Sequence, residues 1–170
     1  LGITYHNFKQ FDKALEYYNK AIKVSEDTKN DVALSYVYNN IGLVYQETHD
    51  YKIALTFFEK ALSIKQQQND REGEALALSY FAECYSRMGD TGNAIEYNQK
   101  ALQIANEVKA TNLQMIIAGN LINQYASVKD FVKSYEMHLI YKTLSDSLNL
   151  QKSYQTATML DMQYKFDKEQ

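Results

Sequence analysis

Apolar residues recur along this chain at helical spacing, and the helical pattern itself repeats. Phe11, Ala14, Leu15, Tyr18, Ala21 and Ile22 follow one another at three- and four-residue steps, which gathers them on one face of an α-helix. Over 33–47 the stripe is Val37, Ile41, Val44 and Tyr45, with Leu34 and Leu43 lying off it, so the spacing predicts a helix buried on two sides. Shifted by 40 residues, the sequence aligns with itself. Phe11-Asp12-Lys13-Ala14-Leu15 falls on Tyr51-Lys52-Ile53-Ala54-Leu55, then on Thr91-Gly92-Asn93-Ala94-Ile95, and more weakly on Phe131-Val132-Lys133-Ser134-Tyr135. Tyr5, Tyr45, Tyr85 and Tyr125 share one column, and Gly2, Gly42 and Ala82 stand three residues before the first three of them, where Ile122 breaks the fourth copy. Ala14, Ala54 and Ala94 form another column, and Ala21, Ala61 and Ala101 a third. The short polar links at 29–31, 69–71 and 110–112 read as turns between copies. Asp50, Asp90 and Asp130, with Gln10 in the first copy, stand where a side chain caps the second helix of each hairpin.

Helices whose axes approach within about 8–10 Å need small side chains at the crossing, and Gly42 against Ala54 is the expected pair. A hairpin of this kind has apolar surface left over on its outer side, which the next copy covers. The architecture predicted is an all-α solenoid. Composition agrees: Pro is 0 and Gly 6, too little punctuation for a β-rich fold, while Tyr 15 and Phe 7 supply packing volume. The net charge of -3 and pI ≈ 5.6 argue against direct nucleic-acid binding. With a mean hydropathy of -0.49, no run approaches the ~18–20 apolar residues of a membrane span. The single cysteine, Cys84, excludes a disulfide framework. The chain starts at Leu1, which points to a piece of a longer protein.

The columns resemble the tetratricopeptide repeat. The second copy matches it through Tyr38, Ile41, Gly42, Tyr45, Ala54, Phe58 and Ala61, and the first through Leu1, Gly2, Tyr5, Ala14, Tyr18 and Ala21. The third keeps Leu78, Phe81, Ala82, Tyr85, Gly89, Ala94 and Ala101 but has Asn98 where an aromatic is expected; the fourth has Ser134, His138 and Tyr141 in place of small, aromatic and small. The period of 40 exceeds the basic family repeat of about 34, so longer helices or turns must absorb the difference. The resemblance implies a right-handed α-solenoid over 1–145, about three and a half repeats at 1–28, 32–68, 72–108 and 112–145.

Residues 146–170 leave the repeat, since Lys165 stands one period beyond Tyr125. Leu150, Tyr154, Ala157, Leu160 and Tyr164 still mark a helical stripe, read as a capping or transmitter helix. Ser145-Asp146-Ser147-Leu148, followed by Leu160, Tyr164, Lys168 and Glu169, resembles the exit segment of tetratricopeptide sensor modules in bacterial membrane-bound histidine kinases and transcriptional regulators. That resemblance implies a periplasmic module joined to the membrane only through the rest of its parent, with a homodimer through the last helix. The alternative is a cytoplasmic scaffold or a regulator that sequesters a partner.

Catalytic chemistry is not predicted. His6, His49 and His138 each lack the helical partner a metal site needs, Cys84 reads as a small buried hydrophobe, and no phosphate loop, nucleophile elbow or zinc-binding motif occurs. No cofactor is expected. What remains is binding: the family's concave groove, projected onto this chain, selects Tyr36, Asn39, Asn40, Leu43, Glu47, Tyr80, Glu83, Arg87, Asn120 and Asn123. Asparagine amides can donate to and accept from the main chain of an extended peptide. Chaperone-tail binding is disfavoured, because the basic positions of that clamp hold Ile3, Leu76 and Tyr80, leaving only Asn40 in agreement.

Overall fold

The computed structural model describes residues 1–168; the side chains at 154–157 and 160–170, and with them Tyr154, Ala157, Leu160 and Tyr164 of the predicted stripe, lie outside the described residues. The chain is an α-solenoid of helix-turn-helix repeats. Its helices are α1 (Gly2–Asn7), α2 (Phe11–Asp27), α3 (Asp31–Glu47), α4 (Tyr51–Gln67), α5 (Arg71–Arg87), α6 (Thr91–Glu107), α7 (Thr111–Ser127) and α8 (Phe131–Lys168). Each packs on the next in chain order, and α5 also touches α7.

The period has a simple origin. Helices α2 to α7 are each 17 residues long and are joined by three-residue turns, so a helix and its turn take twenty residues and a hairpin forty. Every turn is the same device. Lys9, Lys29, His49, Asn69, Gly89, Lys109 and Lys129 all have positive φ. The amide after each reaches back five residues at 2.8 to 2.9 Å, as Asp50 N–H does to the Tyr45 carbonyl, and the positive-φ residue reaches back three, as His49 does to Gln46. This Schellman arrangement satisfies the carbonyls a helix end leaves free.

Capping follows the expectation in part. Asp90 accepts from the Asn93 amide and Asp130 from the Lys133 amide, both at 3.1 Å. Asp50 does not cap: its carboxylate accepts instead from the Thr48 hydroxyl at 3.3 Å. Two links between copies supply further caps, Asn30 to Ala33 and Asp70 to Gly73.

The core is a file of clusters, one beneath each hairpin junction, not a single centre. Tyr5, Tyr45 and Tyr85 stack on Tyr17, Phe57 and Tyr97 with ring centroids 5.2, 5.7 and 5.3 Å apart, and Lys20, Lys60 and Lys100 lie over the second ring of each pair. A Cβ on Gly42 would come within 2.5 Å of the Phe58 ring, and one on Gly2 within 2.7 Å of Tyr18; each glycine makes room for a ring of the following helix. In the third copy the corresponding residues are Ala82 and Asn98, so as the small residue gains a methyl the large one loses its ring. Both are fully buried. In the fourth, Ile122 fills the small position and His138 is exposed. There α8 is seated by the Ser134 hydroxyl, which donates to the Ile122 carbonyl at 3.0 Å, and by the Tyr141 ring, 3.7 Å from where a Cβ on Gly119 would stand.

No turn separates residues 145 and 146. Helix α8 runs unbroken for 38 residues, and its outer side exposes Phe131, Val132, Tyr135 and Leu139. Among the described residues no helix is long and apolar enough to cross a membrane.

Candidate functional site

Three cavities open along the odd-numbered helices. One, of about 520 Å³, lies at the C-terminal ends of α3 and α5 and is lined by Phe11, Leu43, Gln46, Glu47, Tyr51 and Arg87. A second, of about 270 Å³, holds the equivalent position one repeat later, with Glu83 and Ser86 of α5 facing Asn120, Asn123, Gln124 and Ser127 of α7. The third, of about 420 Å³, lies toward the N-terminal ends of α3, α5 and α7. Tyr36, Leu76, Leu113 and Ile116 form its apolar walls, and Asn39, Lys65, Asp70, Glu72 and Asn112 its polar part.

The ten residues selected from the sequence do not converge on one site. Leu43, Glu47 and Arg87 line the first cavity; Glu83, Asn120 and Asn123 the second; Tyr36 and Asn39 the third. Asn40 and Tyr80 line none of these three. Asn40 Nδ2 donates to its own helix at the Tyr36 carbonyl, 2.9 Å away. Tyr80 stacks on Phe58 at 4.9 Å, and burial pushes its phenol above the ordinary tyrosine range. Asn39 is buried, 7% exposed, and its Oδ1 has no hydrogen-bond partner. Asn123 Nδ2 donates to the Gly119 carbonyl at 3.3 Å.

Most of the charges that line these cavities are paired. His6 Nε2 donates to Glu47 Oε1 at 3.0 Å, tying α1 to α3. Arg87 Nε donates to Glu83 Oε1 at 2.7 Å, and that carboxylate holds the guanidinium above its usual range. Lys65, only 3% exposed, donates to Asp70 Oδ2 at 2.8 Å and lies 4.5 Å from the centre of the Tyr36 ring. The Lys65 hydrogen bond, opposed by burial and aided by the Gly73 amide, keeps the Asp70 carboxyl below the usual carboxylate range.

Two features escaped the sequence reading. The pair of buried Lys65 with partly exposed Asp70 carries no spacing signal, since one member lies near the end of a helix and the other caps the next. The second is Asn98. It was visible as the missing aromatic, but not its partner: Asn98 Nδ2 donates to Gln124 Oε1 at 3.0 Å, both side chains are buried, and Asn98 Oδ1 is unpaired. Cys84 is fully buried, and burial pushes its thiol up to about 12. At neutral pH it is a packed thiol with no thiolate to offer.

The repeat columns are decisive when set against known families. Models of the tetratricopeptide repeat match residues 31–107 and 1–28, together more than half of the chain. The chain belongs to the tetratricopeptide repeat family. No curated protein matches it significantly. Among solved structures it is similar to BtubC (BKLC) from P. vanneervenii, at 20% identity and TM-score 0.79, over 88% of this chain and 62% of that one. The apo form of RapI superposes with TM-score 0.79 at 18% identity, over 86% of this chain and 41% of the other. A signal transduction ATPase (STAND) protein with a tetratricopeptide repeat sensor from Pyrococcus horikoshii follows at 24% identity and TM-score 0.75, over 93% of this chain and 24% of that one. The tetratricopeptide chain thus spans less than two thirds of each of these proteins, and at such identities they share its fold. The family assignment makes it a protein-interaction module, and it indicates no catalytic family.

Proposed function

We propose that this tetratricopeptide module binds an extended, largely uncharged protein segment along α3, α5 and α7, and that it is the sensing part of a bacterial membrane-bound regulator, with a histidine kinase among the outputs its parent could carry. The observation that carries the binding half is the file of cavities on the odd-numbered helices, whose linings alternate apolar and amide groups and whose charges are mostly paired. A strongly charged ligand would have to compete with those ion pairs. The sensing half is supported by α8. Its first 17 residues match the length of its partner α7, and the other 21 of its 38 extend the helix by roughly 30 Å, a lever on the last repeat. Binding that favours one curvature of the solenoid would move that lever.

The test is hydrogen exchange on the chain with peptides selected from a random phage-displayed library. Protection on α3, α5 and α7 is expected; protection confined to the even-numbered helices would refute the groove. Asn123→Ala, which removes one bond within a helix and a group lining the second cavity, should leave stability within about 0.5 kcal/mol and weaken peptide binding. Altered exchange beyond residue 148 upon binding supports the lever, and its absence leaves a binding module without the sensing role.

A further inference from the structure

The cavity between α5 and α7 differs in kind from its equivalent one repeat earlier. Where the first has Leu43 and Tyr51, the second has Glu83 and Thr91, and the side facing them is made of Asn120, Asn123, Gln124 and Ser127. Every residue on its wall carries a hydrogen-bonding side chain. Its one carboxylate, Glu83, is engaged by Arg87 at 2.7 Å, so the cavity presents little net charge. Behind it lies the buried amide pair. Gln124 gives its oxygen to Asn98 Nδ2 at 3.0 Å, which leaves its Nε2 as the group offered to the cavity. Asn120 has no side-chain partner among the described residues, and Asn123, donating to Gly119 at 3.3 Å, keeps its oxygen free.

Packing alone does not account for the pair. Position 98 is fully buried, where an apolar side chain would leave no polar atom to satisfy. The chain instead buries two amides with Asn98 Oδ1 unpaired, an arrangement that lowers stability relative to an apolar pair of the same shape. What it gains is a fixed Gln124 amide at the cavity floor.

We propose that this cavity recognises a carboxamide, the side chain of a glutamine or asparagine in the bound segment. A carboxamide supplies an acceptor for Gln124 Nε2 and two donors for the free oxygens of Asn120 and Asn123, all in one short planar group. An ammonium or a carboxylate would supply only one half of that set. The inference rests on the reading of this face as a protein-binding surface for the origin of the glutamine, while the subsite itself is testable without any peptide.

The experiment titrates the full chain with acetyl-glutamine methylamide and, separately, acetyl-leucine methylamide, following the side-chain amide signals of Asn120, Asn123 and Gln124 by NMR. Saturable shifts with the glutamine probe, at least about fivefold weaker with the leucine probe, are expected. They should vanish in Asn98→Leu/Gln124→Met, which replaces the pair by apolar groups of like shape; if that variant does not fold, Asn120→Ala carries the same comparison. Equal shifts with both probes, no shift with either, or unaltered binding by the variant overturns the proposal. Selected peptides that protect α5 and α7 yet contain no Asn or Gln would overturn the subsite and spare the groove. Protection confined to even-numbered helices would refute the groove while the glutamine titration still reports on the subsite.

Discussion

Gly42 is the position where the structure makes the sharpest energetic statement. A methyl placed there would stand 2.5 Å from Phe58 Cε1, 2.7 Å from Cδ1 and 2.9 Å from Cζ, against an ordinary contact of 3.4 Å or more. The ring must retreat by close to an ångström. It is fully buried and held between Tyr80 and Phe81, with centroids at 4.9 and 6.5 Å, so overpacking costs about 1–3 kcal/mol. Opposing this, alanine is a better helix former than glycine by about 1 kcal/mol. The single variant Gly42→Ala therefore changes stability by the difference of two comparable terms. The informative measurement is the double-mutant cycle with Phe58→Leu, by urea denaturation followed by circular dichroism. In the Phe58→Leu background the ring is gone, and Gly42→Ala should stabilise by about 1 kcal/mol, or about 2–4 °C for a chain of this size. The coupling between the two sites is then about 1–3 kcal/mol. If Gly42→Ala has the same effect in both backgrounds, the glycine is not there to admit the ring, and the volume exchange inferred for Ala82 and Asn98 falls with it.

Acid should weaken the junction between the second and third repeats. Lys65 keeps the Asp70 carboxyl below its unfolded value, so this pair contributes stability that is complete above about pH 4 and is lost as pH falls through the lower, folded value. Asp70→Asn should flatten that acid limb of the stability curve, and an unchanged limb would show that the pair is not its source. With its thiol pushed up to about 12 and fully buried, Cys84 should resist iodoacetamide at pH 8 in the native protein and react once guanidinium unfolds it. Labelling of the native chain at the unfolded rate would contradict the packing.

The repeat, the helical class and the two-sided burial of the odd-numbered helices were legible because they are properties of spacing. Small and large residues at fixed offsets say which faces meet. They do not say which atoms meet most closely: the nearest neighbours of a Cβ on Gly42 are atoms of the Phe58 ring. The turns were legible from the short polar links, but their backbone conformation was not, since five of the seven positive-φ turn residues are Lys or His and only one is Gly; hydrogen bonds back into the preceding turn hold what residue preference would not. The candidate site was the least legible part. Asn39 and Tyr80 carry the residue types of a groove, yet Asn39 lines the third cavity as a buried side chain without a partner for its oxygen, and Tyr80 is stacked on Phe58 and lines none of the three. Whether a polar residue near the first helix of a repeat reaches a cavity or an interface depends on the size of neighbours 20 to 40 residues away.

The uniform turns have a consequence for how this chain can go wrong. Because every connection has the same length and the same backbone conformation, the main chain repeats every twenty residues while the side chains repeat every forty. Nothing in the turns distinguishes the inside of a hairpin from the junction between two hairpins. A chain that slips by one helix would satisfy all its backbone hydrogen bonds and meet opposition only from misplaced rings, glycines and alanines. Discrimination against that half-period register falls to the side chains, among them small buried residues such as Gly42, Ala54 and Ala94. Substitutions there should raise the yield of misassembled and domain-swapped species more than their effect on native stability alone would suggest.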